Sequence, residues 1–195
     1  MKYCFMARAF GHILDGFLKD SVDDRGIAKK VRAEYKAIVI RSKDIGTKNR
    51  LLTSYVFAAY FIAMARNTGL TPEQNLEIME RGLAGSRVVK MFMGDADSYF
   101  SERSMDSRRA WAEESHLRRY ENDWELDIVE IPGGFGMDYT RCGVCALCRD
   151  EGCPELARYM CRLDFMRSLM CSDWVRRYLS LSKPSAIGFP IASGD

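Results

Sequence analysis

The sequence predicts an α+β fold, with a helical N-terminal half, a small antiparallel sheet and a long C-terminal helix. Apolar residues recur at helical spacing over about the first hundred residues, and the period changes to the alternation of a strand near Trp124. Helical spacing returns after Pro154, which occupies a typical first helical position. We expect one domain of residues 1–195, mainly helical over 1–120, with strands, cysteines and a helix over 121–195.

Apolar spacing predicts the N-terminal helices at about residues 3–19, 25–41 and 47–67 and from Thr71 onward. The last start is the best marked, because Thr71-Pro72-Glu73-Gln74 combines a threonine cap, a proline and a glutamine three residues after the cap. We expect Gly69 to end the third helix, and Gly82 and Gly85 to punctuate the fourth. A charged helix is expected at about residues 97–120.

The sheet is expected to begin at Trp124, because apolar and acidic residues alternate from there to Ile131. A Pro-Gly-Gly turn follows, and a second strand is expected at about residues 135–140, antiparallel to the first. The last helix should run from Pro154 to about Met170, with a further strand at about residues 175–181.

Composition excludes several classes of function. A net charge of +2 without a basic stripe argues against nucleic-acid or anionic-membrane binding. The longest apolar stretch, Leu51–Ala65, falls short of the roughly 20 residues of a membrane span and predicts a buried helix. The first twenty residues are amphipathic, unlike a secretory signal. We therefore expect a soluble cytoplasmic protein, with a homo-oligomer left open, and cysteines that are thiols or ligands.

Five of the seven cysteines lie close together, at positions 142, 145, 148, 153 and 161. Steps of C-x-x-C can present thiolates to zinc or to an iron–sulfur cluster. A zinc ribbon needs two separated C-x-x-C pairs, however, and the common bacterial cluster motif needs a last step one residue shorter than the one before Cys153. The metal is therefore unknown, zinc is an open alternative, and no cofactor is assigned.

A second interpretation is a pocket lined by small reactive side chains. Helical geometry places Cys161 and Asp164 together beside the apolar face of the last helix, and Cys153 near its start on about the same side. A thiol at a helix N-terminus tends toward the thiolate, which gives Cys153 a route to reactivity. The plainer alternative is that Cys161 is a small core residue and Asp164 pairs with an arginine such as Arg167. A Cys–His pair would need a tertiary contact, for which His116 is the better candidate of the two histidines; the favoured interpretation of His116 is a solvated helix residue.

Three stretches resemble the signature of the L-2-amino-thiazoline-4-carboxylic acid hydrolase family. They are Asp138-Tyr-Thr-Arg-Cys-Gly143, Gly152-Cys-Pro-Glu-Leu156 and Cys161-Arg-Leu-Asp164. Upstream, residues 44–49 and 69–73 are similar to the N-terminal half of that family. The resemblance covers about residues 30–170 and is strongest over 135–164. Family members usually continue beyond a segment like Ile191–Asp195 into a terminal strand with another cysteine, so a truncated or divergent member is expected.

The resemblance implies hydrolytic opening of a small cyclic amidine, which requires a nucleophile, an acid/base group and a cation for the substrate carboxylate. The hypothesis is that Cys142 or Cys161 supplies the thiolate, Asp164 acts as acid and base, and Arg141 or Arg162 binds the carboxylate. The predicted substrate contacts are Tyr139, Arg141, Cys153 and Arg162. The alternatives are a ligand-binding or sensory module similar to the vinyl-reductase-like domains, with or without a cysteine-bound zinc, and a redox or structural thiol protein.

Overall fold

A computed structural model of the chain describes residues 5–22, 24–42, 52–86, 105–118, 123–131, 134–161 and 187–188. The expected strand at 175–181, the helix beyond Cys161 and the starts of the helices expected near 47 and 97 lie outside these residues.

The helices and strands follow the order that the sequence predicts, with two additions. They are α1 (Phe5–Ser21), α2 (Arg25–Arg41), α3 (Leu52–Asn67), α4 (Pro72–Gly85), α5 (Met105–Arg118), β1 (Trp124–Ile131), β2 (Gly134–Cys142), α6 (Gly143–Asp150), a 3-10 turn (Pro154–Leu156) and β3 (Ile187–Gly188). Residues 157–161 continue the 3-10 turn as an α-helix. The α+β prediction is confirmed, while α6 and β3 were not expected.

The chain divides into two compact units. The first contains residues 1–93 and 143–166, and the second contains residues 94–142 and 167–195. The single domain of residues 1–195 stays a prediction.

The first unit is built around α3. Every residue from Tyr55 to Met64 is buried, so this helix is apolar on all sides and takes the central position. It contacts α1, α2, α4 and α6. The prediction of a buried core helix is confirmed. Within the part of the chain that is described, no helix combines the length and the apolar character needed to cross a membrane.

Helix α4 begins as its sequence predicts. The Thr71 hydroxyl accepts from the Gln74 backbone N–H, and the Gln74 side chain accepts from the Thr71 backbone N–H. The expectation that Gly82 punctuates this helix is wrong, since α4 continues to Gly85. A Cβ atom at Gly82 would lie 2.3 Å from Cδ2 of Phe17, so the glycine allows α1 and α4 to approach closely.

The second unit contains the sheet, in which β1 pairs with β2 and β2 pairs with the short β3, both antiparallel. Trp124 lies opposite Cys142 and Glu125 opposite Arg141, and the register shifts between Glu125 and Asp127. Helix α5 packs against β1. The second strand is longer than predicted, since it continues to Cys142.

Candidate functional site: the cysteine segment

The cysteine segment forms a helix and a defined turn. Cys145 and Cys148 lie on α6, three residues apart. The Gly152 N–H donates to Arg149 O and the Cys153 N–H donates to Cys148 O, both at 2.9 Å, and Gly152 has a φ of +72°. This pair of bonds around a left-handed glycine is a Schellman motif, which ends α6. The Gly-Cys-Pro stretch therefore turns the chain from α6 into the helix that carries Cys161.

Charged residues from two other helices bind this turn. Arg41, at the end of α2, donates to both carboxylate oxygens of Glu151 at 2.8 and 2.5 Å. Arg66, near the end of α3, donates to the Glu151 backbone oxygen at 2.5 Å. Both arginines also donate to Glu34. We call Glu34, Arg41, Arg66 and Glu151 the Glu151 cluster. The hydrogen bonds from Arg41 are the largest cause that lowers the pKa of Glu151, so this carboxylate stays ionised.

The five described cysteines are thiols that differ in their access to solvent. Cys148 and Cys153 are buried, with 0% and 9% of their surface exposed. Cys145 and Cys161 are exposed, and Cys142 is half-buried. Since a nucleophilic thiol must meet its substrate as a thiolate, Cys142, Cys145 and Cys161 have the access that such chemistry needs.

The environment of Cys153 differs from the one expected from its position before a helix. Burial raises the pKa of its thiol, the Arg66 charge opposes this, and Glu155 and Glu151 raise the pKa further. The side chain makes no capping hydrogen bond to the following turn. The expected tendency of Cys153 toward the thiolate is therefore wrong in direction, because desolvation disfavours the charged form.

The helix that carries Cys161 packs against the core as predicted. Leu156, Tyr159 and Met160 are buried, and Cys161 faces solvent. The Tyr159 hydroxyl donates to Glu73, and its ring lies 5.7 Å from that of Phe61. The polar contact of Tyr159 with α4 was not predicted from the sequence. Two predicted site residues, Arg162 and Asp164, lie outside the described residues.

Other predicted site residues belong to the second unit. Tyr139 is 37% exposed on β2. The Arg141 guanidinium lies 3.7 Å from a carboxylate oxygen of Glu125, its cross-strand neighbour. This pair is exposed, so water screens it strongly.

His116 of α5 is oriented by the sheet of the same unit. Its Nδ1 lies 2.7 Å from the Leu126 backbone oxygen, and Asp127 lies 3.5 Å away. A carbonyl oxygen can only accept, so Nδ1 carries a proton and the neutral ring keeps its lone pair on Nε2.

The sequence did not indicate that Asp15 would be a buried carboxylate in the helical core. Asp15 of α1 is 2% exposed, and its Oδ1 accepts from the Tyr60 hydroxyl at 3.0 Å. Arg32 Nε lies 3.1 Å from Oδ2, at an angle that does not make a hydrogen bond. Burial raises the pKa of Asp15, while Tyr60, Arg32, Lys19 and His12 act in the opposite direction.

A metal centre needs several ligands close together. Within the ranges that the structure describes, no three histidine, cysteine or acidic side chains lie close enough to share one ion.

These observations define an α+β protein in which the accessible thiols of the described residues lie at and beyond the end of β2. The sequence model of the L-2-amino-thiazoline-4-carboxylic acid hydrolase family matches residues 49–168, which is more than half of the chain. The chain belongs to this family, and the resemblance carried by the cysteine motifs is confirmed. Comparisons with curated proteins and with solved structures gave no significant match.

Proposed function

We propose that the chain hydrolyses a small cyclic amidine related to L-2-amino-thiazoline-4-carboxylic acid. The observation that carries this proposal is the family match, which contains the whole segment from Cys142 to Cys161. The exposure of Cys161 and the partial exposure of Cys142 support a thiol nucleophile. Cys148 and Cys153 are buried and suit a supporting role.

The proposed reaction adds one water in two steps. The thiolate attacks the ring carbon between nitrogen and sulfur, and one ring bond to that carbon breaks as the leaving atom takes a proton. Water then attacks the same carbon and releases the cysteine thiol, which leaves a carbamoyl product. Cleavage of the ring C–S bond gives a product with a thiol, and cleavage of the ring C–N bond gives a product with a free amine. The two routes are therefore distinguishable by product analysis.

The proposed roles of the remaining residues follow from their position and chemistry. Asp164 comes three residues after Cys161, so the predicted helix would place both on one side, where Asp164 can transfer protons. Arg141 or Arg162 binds the substrate carboxylate. Arg141 is half-exposed, and water screens its 3.7 Å ion pair with Glu125, so a substrate carboxylate can compete with Glu125 for the guanidinium. We assign to Tyr139 and Cys153 a contact with the substrate, and not the nucleophilic attack.

The test is a ring-opening assay on the reduced, full-length protein, with separate detection of new thiol and new amine. We expect turnover by the wild type and a loss of more than about 100-fold in kcat for either Cys142→Ser or Cys161→Ser. Cys145→Ser is the matched control, since this exposed cysteine lies on α6 and has no proposed role. Turnover that survives in the Cys142→Ser/Cys161→Ser double variant would contradict the proposal.

A further inference from the structure

We propose that Arg66, on the core helix α3, is a positioning residue of the cysteine site. It holds in place the turn that carries Cys153 and leads into the helix of Cys161. This inference rests on the proposed function, and it adds a residue to which the cysteine motifs do not point. Arg66 in α3 and Glu151 in the turn are 85 residues apart in the sequence.

Arg66 binds a part of the turn that needs a partner. The last carbonyl groups of a helix find no N–H donor within that helix, and Glu151 follows directly after α6. Arg66 Nη2 donates to the Glu151 backbone oxygen at 2.5 Å, so the arginine binds the main chain itself. Its Nη1 lies 3.0 Å from the Glu151 carboxylate and also contacts Glu34. A planar guanidinium can make these contacts together, whereas a lysine ammonium is a single point charge.

Arg41 provides an internal comparison. It binds the same two carboxylates, Glu151 and Glu34, and is similarly accessible to solvent, with 46% of its side chain exposed against 35% for Arg66. The bonds that the structure shows from Arg41 to Glu151 go to the carboxylate, and the bond to the backbone oxygen comes from Arg66. Loss of Arg41 should therefore weaken the cluster while the main-chain contact remains.

Arg66 also acts on the turn through its charge. Among the groups that face Cys153, Arg66 favours the thiolate, while burial and the carboxylates of Glu155 and Glu151 favour the thiol. Removing the Arg66 charge should make the Cys153 thiol harder to ionise. General unfolding of the turn would instead admit water to the buried thiol, which would make ionisation easier. The direction of the change thus separates loss of the Arg66 contact from unfolding of the turn.

The experiment follows Cys153 in the full-length protein labelled with ¹³Cβ-cysteine, with its signal assigned by Cys153→Ser. The pH titration is compared among wild type, Arg66→Gln, Arg66→Lys and Arg41→Gln, with Arg81→Gln as an exposed arginine control from α4. We expect the Cys153 midpoint to rise in Arg66→Gln, by more than in Arg41→Gln, and to stay near the wild-type midpoint in Arg66→Lys and Arg81→Gln.

Activity gives the second measurement. Both Arg66→Gln and Arg66→Lys should lose kcat by about 10-fold or more with little change in KM, because both disturb the main-chain contact. Should Arg66→Gln fail to fold, Arg66→Lys keeps the activity test intact. An unchanged or lowered Cys153 midpoint in a folded Arg66→Gln protein would overturn the inference, as would a kcat equal to that of the wild type. A wild type without turnover that still shows the Arg66-dependent midpoint would overturn the proposed function and retain the electrostatic role of Arg66.

Discussion

Two regions of the first unit are stabilised by different physics. The core between α1, α2 and α3 is aromatic and closed to water: Phe10 packs edge-on to Phe57 and Tyr35 to Tyr60, with ring centroids 5.4 Å apart in both pairs. The Glu151 cluster lies nearer the surface: its two arginines are 46% and 35% exposed, and the Glu151 side chain is 8% exposed. Burial of apolar groups supplies most of the free energy of folding, whereas ion pairs with solvent-accessible arginines contribute less and mainly fix local geometry.

The difference indicates that the residues that stabilise the fold are distinct from those that hold the cysteine site. Substitutions in the aromatic core should lower the free energy of unfolding of the unit. Substitutions at the turn of Glu151, Gly152 and Cys153 should change the cysteine site with a smaller cost in stability. Substitutions of individual residues test this contrast.

The largest expected effect is in the core. Phe61 is fully buried on α3 and contacts the Tyr159 ring, so Phe61→Ala should lower the free energy of unfolding by about 3–5 kcal/mol. Phe5→Ala is the matched control, because Phe5 is 77% exposed and its loss should change stability by less than about 0.5 kcal/mol. Urea unfolding followed by circular dichroism measures both. Equal losses in the two variants would refute a core centred on α3.

A smaller effect is expected at the turn. Gly152 has a φ of +72°, where a side chain is strained, so Gly152→Ala should cost about 1–2 kcal/mol. Gly152→Asn should cost less, because asparagine tolerates the left-handed conformation at a helix end. The same denaturation experiment measures both losses of stability, and the rate at which a thiol reagent labels Cys153 reports on the turn. The contrast between the two regions fails if Gly152→Ala destabilises the protein as much as Phe61→Ala.

The smallest effect is expected at Asp15 and depends on pH. Burial raises the pKa of this carboxyl above its ordinary value of 3.8, so the fold favours the protonated form. The stabilisation by the bound proton is complete below that value and is lost as the pH rises through the raised pKa. Asp15→Asn can still accept from Tyr60 without a charge. The stability of Asp15→Asn relative to wild type should therefore increase with pH across this window, as measured by melting temperature; a flat or falling difference would show that Arg32 outweighs burial.

Local sequence patterns predicted the elements that have local causes. The bounds of α2, the capping box of α4 and the extent of β1 follow from periodicity and cap residues, and all are confirmed. Helix α6 was missed because Cys145 and Cys148 were considered as ligands, although the buried residues Val144, Leu147 and Cys148 have helical spacing. Gly82 was misinterpreted because its neighbour Phe17 lies far away in sequence.

Of the candidate site, only the cysteine motifs could be predicted from the sequence. The cysteine motifs identified the family, yet burial divides those cysteines in a way that spacing does not reveal. Arg66 and Arg41 are common surface residues in sequence, and only the folded chain places them on Glu151. Pairings of this kind depend on tertiary contacts across many residues, so neither periodicity nor local propensity can indicate them.

The most direct test of the account is to find the atom that attacks the substrate. The reduced protein would be mixed with L-2-amino-thiazoline-4-carboxylic acid, quenched with acid within one turnover, and examined by intact mass and peptide mapping. The account predicts a covalent adduct on Cys142 or Cys161 that is absent from the corresponding serine variant, with Cys145, Cys148 and Cys153 unmodified. Ring opening without an adduct on either thiol, together with full activity in the Cys142→Ser/Cys161→Ser double variant, would contradict it.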